Sequence, residues 1–235
     1  MCPEKSISLG GLTIMKFEID NDVDVSFSGR HSRGITPVEY RHPNIIDLRD
    51  FCLPTDNQGN TPHCVGYTVG GFLEVHNWKN THIPRQINAE KLYDLGRKYK
   101  ADTRTGTRLE YVLSQLKTEG FIKGTPKKIE TKDIKYFIHQ YGVVMCAFYI
   151  TNEWYSLDRK YRIKEKKTPK TLGGHCVLGC GYCEDGLYIQ NSWGYKKWGN
   201  YGFAIVPWNL VYKQLSYSMC VDGIELSNIT EFFNV

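Results

Sequence analysis

The spacing of apolar and polar positions changes character along the chain. Residues 1–46 are polar with short apolar runs, as at 12–15, and read as an extension rather than a domain. Over 64–79, Val65, Val69, Phe72 and Leu73 suit a buried helix. Gly66, Gly70 and Gly71 lower its intrinsic propensity, so tertiary packing must hold it. Asn88 is a candidate N-cap for a helix through Tyr99, with Leu92 and Leu95 on one face. Leu109, Val112, Leu113 and Leu116 mark a helix over 107–117, stopped by Gly120. Thr131 is placed to cap another, carrying Ile134, Phe137, Ile138 and Tyr141 and ended by Gly142. Beyond Gly142, the segments 143–150, 175–183, 187–191 and 202–206 are rich in β-branched and aromatic residues and read as strands. Helices first and strands later predict an α+β protein, with a helical lobe over 47–125 and a β-rich lobe over 126–235.

Composition narrows the function classes. The chain has 235 residues, 41% hydrophobic and 23% charged, an ordinary globular balance that excludes a disordered chain. The apolar run at 143–150 is too short to span a bilayer, so no membrane partner is expected. A net charge of +5 is mild and lacks the dense basic stripe of a nucleic-acid binder. One segment stands out: 158–170 holds seven Lys or Arg against two acids. It reads as a solvated loop between strands, with a basic rim for an acidic substrate or partner as the sharper alternative.

The eight cysteines allow a disulfide framework, a metal cluster or a single working thiol among packing residues. The opening Met-Cys-Pro-Glu-Lys-Ser-Ile-Ser-Leu-Gly lacks a secretory pattern, so a cytoplasmic location and free thiols are expected. Cys176, Cys180 and Cys183 lie close in sequence. On a strand, four residues span roughly 13 Å, too far for two zinc–sulfur bonds of about 2.3 Å to bridge. These three, with Cys52 and Cys146, are read as core packing, a redox role for Cys183 coming second.

Cys64 differs because of what accompanies it. A thiol at a helix N-terminus meets unpaired N–H groups and the positive end of the helix dipole, which favour the thiolate. A histidine can share its proton, and Gly173-Gly174-His175 supplies one. An asparagine carbonyl can fix that imidazole, and Asn191 stands in Asn191-Ser192-Trp193-Gly194. A glutamine amide can join a backbone N–H around an oxyanion, and Gln58 precedes Cys64 by six residues. Trp193 can cover the His–Asn hydrogen bond. His63 is read as having no catalytic role.

These segments resemble the papain-like cysteine peptidases. The likeness runs from Ile46-Asp47-Leu48-Arg49-Asp50 through Asn57-Gln58-Gly59, Cys64 and Gly173-Gly174-His175 to Asn191-Ser192-Trp193-Gly194, Trp198-Gly199 and Gly202-Phe203. The resemblance implies a helical lobe and an antiparallel β-barrel-like lobe with the active cleft between them. It implies Cys64 as nucleophile, His175 as general base and acid, Asn191 as its orienter, and Gln58 with the Cys64 N–H as the oxyanion hole. Gly106, Gly174 and Trp193 would meet an extended polypeptide substrate, and no metal or organic cofactor is implied. The chain departs from the family at Thr61 and Val65, where a cysteine and a tryptophan are usual, and residues 1–46 read as too short to match the inhibitory prodomain of the secreted members. A peptidase is the expected activity. A transferase or ligase using the same thioester, and a silent binding module on this fold, remain as alternatives.

Overall fold

The computed structural model describes residues 42–99 and 106–234. The extension expected over 1–46 therefore lies, up to residue 41, outside the described residues.

Helix α1 (Cys64–Thr81) is buried on almost every side, with Val69, Leu73, Glu74 and His76 all enclosed. Its glycines explain how. A Cβ on Gly66 would lie 2.1 Å from the Ala89 carbonyl oxygen, and one on Gly71 would lie 3.2 Å from Leu178. The residues that weaken the helix locally are those that let its neighbours close on it. Helix α2 (Ala89–Tyr99) starts as expected, with Asn88 Oδ1 accepting from the Lys91 N–H at 3.0 Å. Helix α3 (Leu109–Thr118) buries Leu109, Val112, Leu113 and Leu116, the four residues of its apolar stripe. Helix α4 (Ile134–Tyr141) ends at Gly142, whose φ is +95°.

The sheet contains β1 (Ile46–Asp47), β2 (Ile122–Ile129), β3 (Val144–Thr151), β4 (Thr171–Tyr182), β5 (Gly186–Gln190), β6 (Phe203–Pro207) and β7 (Leu215–Leu226). Its antiparallel ladder runs β2-β7-β3-β4-β5-β6, with β1 added to β4. One continuous apolar core joins the sheet to the helices, with Leu73, Leu92 and Leu113 packed in the same cluster as Met145, Val177 and Ile189.

Three elements differ from the sequence expectation. Strand β2 precedes α4, so helices and strands are not strictly segregated, and the 125/126 boundary falls inside it. It carries Gly124, Pro126 and three lysines, and only Ile122 and Ile129 are buried. An edge strand with one paired side needs no alternating pattern, which is why none is visible. Helix α5 (Trp208–Gln214) and β7 follow the last expected strand without a turn signal between them. The thiols also divide differently. Cys52, Cys64, Cys146, Cys176, Cys180 and Cys220 are free, whereas Cys183 is disulfide-bonded, against the expectation of free thiols throughout.

Candidate active site

Cys64 is the first residue of α1. The first turn of a helix leaves its N–H groups without intrahelical partners, so the thiol sits among outward-facing donors. His175 and Cys176 come from β4, Asn191 and Ser192 from the segment just after β5. The register Phe148↔His175 and Ala147↔Cys176 fixes their height on the sheet, next to the start of α1.

The cluster is tightly bonded. His175 Nε2 lies 2.8 Å from Asn191 Oδ1, and the Ser192 N–H donates to that same Oδ1 at 2.8 Å. A backbone N–H can only donate, so the Asn191 atom facing it must be the carbonyl oxygen. The same oxygen must then accept from His175, which puts a proton on Nε2 and turns Nδ1 toward Cys64. His175 and Asn191 are both buried, at 5% and 2% exposure. Trp193 stacks on the imidazole, with ring centres 4.9 Å apart and planes 27° apart. Tyr155 stacks on the other side of Trp193 at 5.1 Å, and Trp154 meets His175 edge-on at 6.1 Å. Trp198 Nε1 donates to the Trp154 carbonyl, tying this aromatic wall to the loop behind it.

Several neighbours act on the Cys64 thiol. The Cys176 side chain is the strongest, and its backbone N–H also points at the sulfur. Burial opposes ionisation, and His175 favours it by hydrogen bonding and by charge. The balance lowers the Cys64 pKa to about 4, while Cys176, enclosed and donating its S–H, is pushed up. Cys146 and Cys220, buried without such partners, are each pushed up to about 12. Of these thiols, only Cys64 is shifted toward the thiolate.

Gln58 reaches the cluster through Ser192. The Gln58 N–H donates to the Ser192 carbonyl at 2.9 Å, and Ser192 Oγ donates to Gln58 Oε1 at 2.6 Å. Gln58 Nε2 donates to the Thr61 carbonyl at 2.8 Å. An amide nitrogen carries two hydrogens, so one remains for a further acceptor. His63, the N-cap residue, packs its ring 4.1 Å from Tyr93.

The sequence reading thus finds Cys64, His175, Asn191, Gln58 and Trp193 gathered at one place. Gly174 is exposed beside His175, and a Cβ there would meet nothing within 4 Å. Gly106 is different: its carbonyl accepts from Arg97 Nη1 at 2.9 Å, and no hydrogen bond among the described residues joins it to the cluster. Cys176, read from the sequence as core packing, and Ser192 and Tyr155 have no place at the site in the sequence reading. Cys176 is adjacent to His175 in sequence, yet a residue next to a candidate base gives no sign of touching the nucleophile.

The fold is that of papain-like cysteine proteases. The solved structure of xylellain, a cysteine protease from Xylella fastidiosa, superposes with a TM-score of 0.64 at 16% identity, covering 79% of this chain and 87% of that one. The digestive procathepsin L 3 of the Tenebrio molitor larval midgut superposes with a TM-score of 0.58 at 14% identity, covering 80% of this chain and 72% of that one. No family model and no curated protein matches the sequence.

Proposed function

We propose that this protein is a cysteine peptidase that cleaves polypeptides through Cys64, His175 and Asn191. The observation that carries the proposal is the bonded chain from Asn191 to His175 to a thiol of depressed pKa. In the reaction, the Cys64 thiolate attacks the scissile carbonyl carbon. The oxygen, now negative, takes hydrogen bonds from the Cys64 N–H and the second hydrogen on Gln58 Nε2. Imidazolium His175 gives its Nδ1 proton to the leaving nitrogen as the C–N bond breaks, leaving a thioester on Cys64. Neutral His175 then takes a proton from water, the resulting hydroxide opens the thioester, and the free acid departs. Asn191 keeps the imidazole aimed through both halves, and Trp193 shields the His–Asn bond from solvent.

A peptide library digested by the wild type and by the Cys64→Ala variant tests this, with products read by mass spectrometry. New termini carrying one added water, absent with the variant, are expected. Equal products from both proteins would remove Cys64 as nucleophile. Products in which an added amine replaces water would identify an acyl transferase instead, and no products with intact thiol chemistry would identify a binding module.

A further inference from the structure

The loop at 158–170 is not used by the chemistry above. Its charges are largely uncompensated. Arg162 pairs with Asp158 and Asp185, and Glu165 pairs with Lys213. Arg159, Lys160, Lys164, Lys167 and Lys170 are exposed and have no acidic partner among the described residues. A solvated loop with balanced charge would not look like this.

The loop also borders a pocket of about 630 Å³. Its floor is built rather than accidental. Glu153 is 1% exposed and fully occupied: Oε1 accepts from the Lys166 N–H at 2.7 Å, and Oε2 accepts from Thr151 Oγ and Gln214 Nε2, each at 2.6 Å. The buried acid is therefore spent on holding the loop. The walls carry Tyr149, Thr171, Glu165, Lys166, Lys167 and Lys213; Glu165 pairs with Lys213 and Lys166 Nζ donates to the Asn152 carbonyl, so Lys167 and the Tyr149 and Thr171 hydroxyls are left for a visitor.

Strand register links this pocket to the cleft. Alternate residues of a strand share a face. On β4, Leu178 faces Gly71 of α1 and Cys176 faces Cys64. Gly174 is next on that face, paired with Tyr149, which is 61% exposed. Thr171, on the pocket wall, pairs with Thr151 just past a bulge. The Gly174–Tyr149 pair, one residue from His175, thus leads from the cleft to the pocket wall. From Gly174 to Thr171 is about 10 Å of strand, the length of about three residues of an extended peptide.

We propose that this pocket and its lysine rim bind an acidic stretch of the polypeptide substrate, with Asp or Glu placed about two to four residues from the scissile bond. The proposal rests on the peptidase reading for its register and on the charge of the pocket for its specificity. A carboxylate entering there exchanges water for lysine ammonium groups and the Tyr149 and Thr171 hydroxyls. Because the rim is exposed, the attraction is screened by salt.

Two measurements separate this proposal from the peptidase reading. In the first, a fluorescent decapeptide containing Glu-Asp-Glu and its Gln-Asn-Gln counterpart are titrated into the full-length Cys64→Ala protein. The acidic peptide is expected to bind about tenfold tighter, an advantage lost in about 0.5 M salt. In the second, wild-type kcat/KM is compared for substrate pairs that differ only in those acids. The Lys164→Gln/Lys167→Gln/Lys170→Gln variant is expected to bring both acidic-to-neutral ratios close to one. Equal binding of the two peptides overturns the proposal whether or not the wild type hydrolyses anything. Acid-selective binding without any hydrolysis overturns the peptidase reading and leaves the docking surface standing. Tighter binding of a single-stranded oligonucleotide of equal charge would assign the rim to nucleic acid and overturn it.

Discussion

The site around Cys64 and the pocket beside the lysine loop draw on the same two strands, β3 and β4, yet they are built in opposite ways. Around Cys64 the groups that set the geometry are bonded to one another. Asn191 Oδ1 accepts twice, Gln58 is bonded at both ends of its amide, and aromatic rings close the sides. At the pocket the floor is committed through Glu153 and Lys213 pairs with Glu165, while Lys164, Lys167 and Lys170 on the rim have no acidic partner among the described residues. The contrast follows from what each region must do. Bond making needs a fixed geometry, and a displacement of about 1 Å can cost about a hundredfold in rate. Electrostatic recognition needs unspent charge and tolerates motion. A single fold thus holds a site fixed by internal bonds and a rim of exposed charge within about 10 Å of strand.

The internally bonded half should break abruptly. Cys64→Ala is expected to lower peptide turnover by about 10⁴-fold or more, to background, measured with a fluorogenic peptide. Gln58→Ala removes a donor and is expected to lower kcat by about 10²–10³, with KM changed far less. Glu74, buried farther along α1, gives a stability test. Burial raises its pKa from 4.5 to about 7, despite the Ile87 N–H bonded to it, so the folded state favours the neutral acid. Its contribution is therefore full below about pH 4.5 and is lost as pH rises through about 7, a change of about 3 kcal/mol at most. Urea midpoints should fall between pH 5 and pH 8, and Glu74→Gln should flatten that fall.

A smaller effect sharpens the comparison. Cys176 is the strongest of the groups that favour the Cys64 thiolate. Removing that donor makes protonation easier, so the acid limb of the activity profile should move to higher pH. With Cys176→Ala, half-activity is expected between about pH 5 and pH 6, as the loss of a hydrogen bond to a charged group implies. An unmoved limb would mean that Cys176 only fills space.

Much of this was legible in the sequence, for identifiable reasons. The helices at 88–99 and 107–117 carry strong caps or apolar stripes, and their cores are as expected. Cys64, Gln58, His175 and Asn191 were readable because each role demands a residue type and the order along the chain is distinctive. Strand β2 was not readable, since an edge strand with Gly124 and Pro126 has no periodicity to show. Cys176 was not readable either, because its contact with Cys64 depends on how β4 meets the start of α1. That meeting depends on the close approach of Leu178 to Gly71, a residue that looks locally like a defect. The basic loop was visible as a charge excess, but only the register of β3 and β4 connects it to the cleft.

The central claim is that Cys64 alone among the described thiols is an activated nucleophile. The most direct measurement is the rate of iodoacetamide labelling at each cysteine from pH 3 to pH 9, read by mass spectrometry on the folded protein. The structure predicts one fast adduct, on Cys64, with half-maximal rate near pH 4 and the other free thiols far behind. If Cys64 labels no faster than Cys52 or Cys220, and only as the pH approaches 9, the thiolate is not there and the account is wrong.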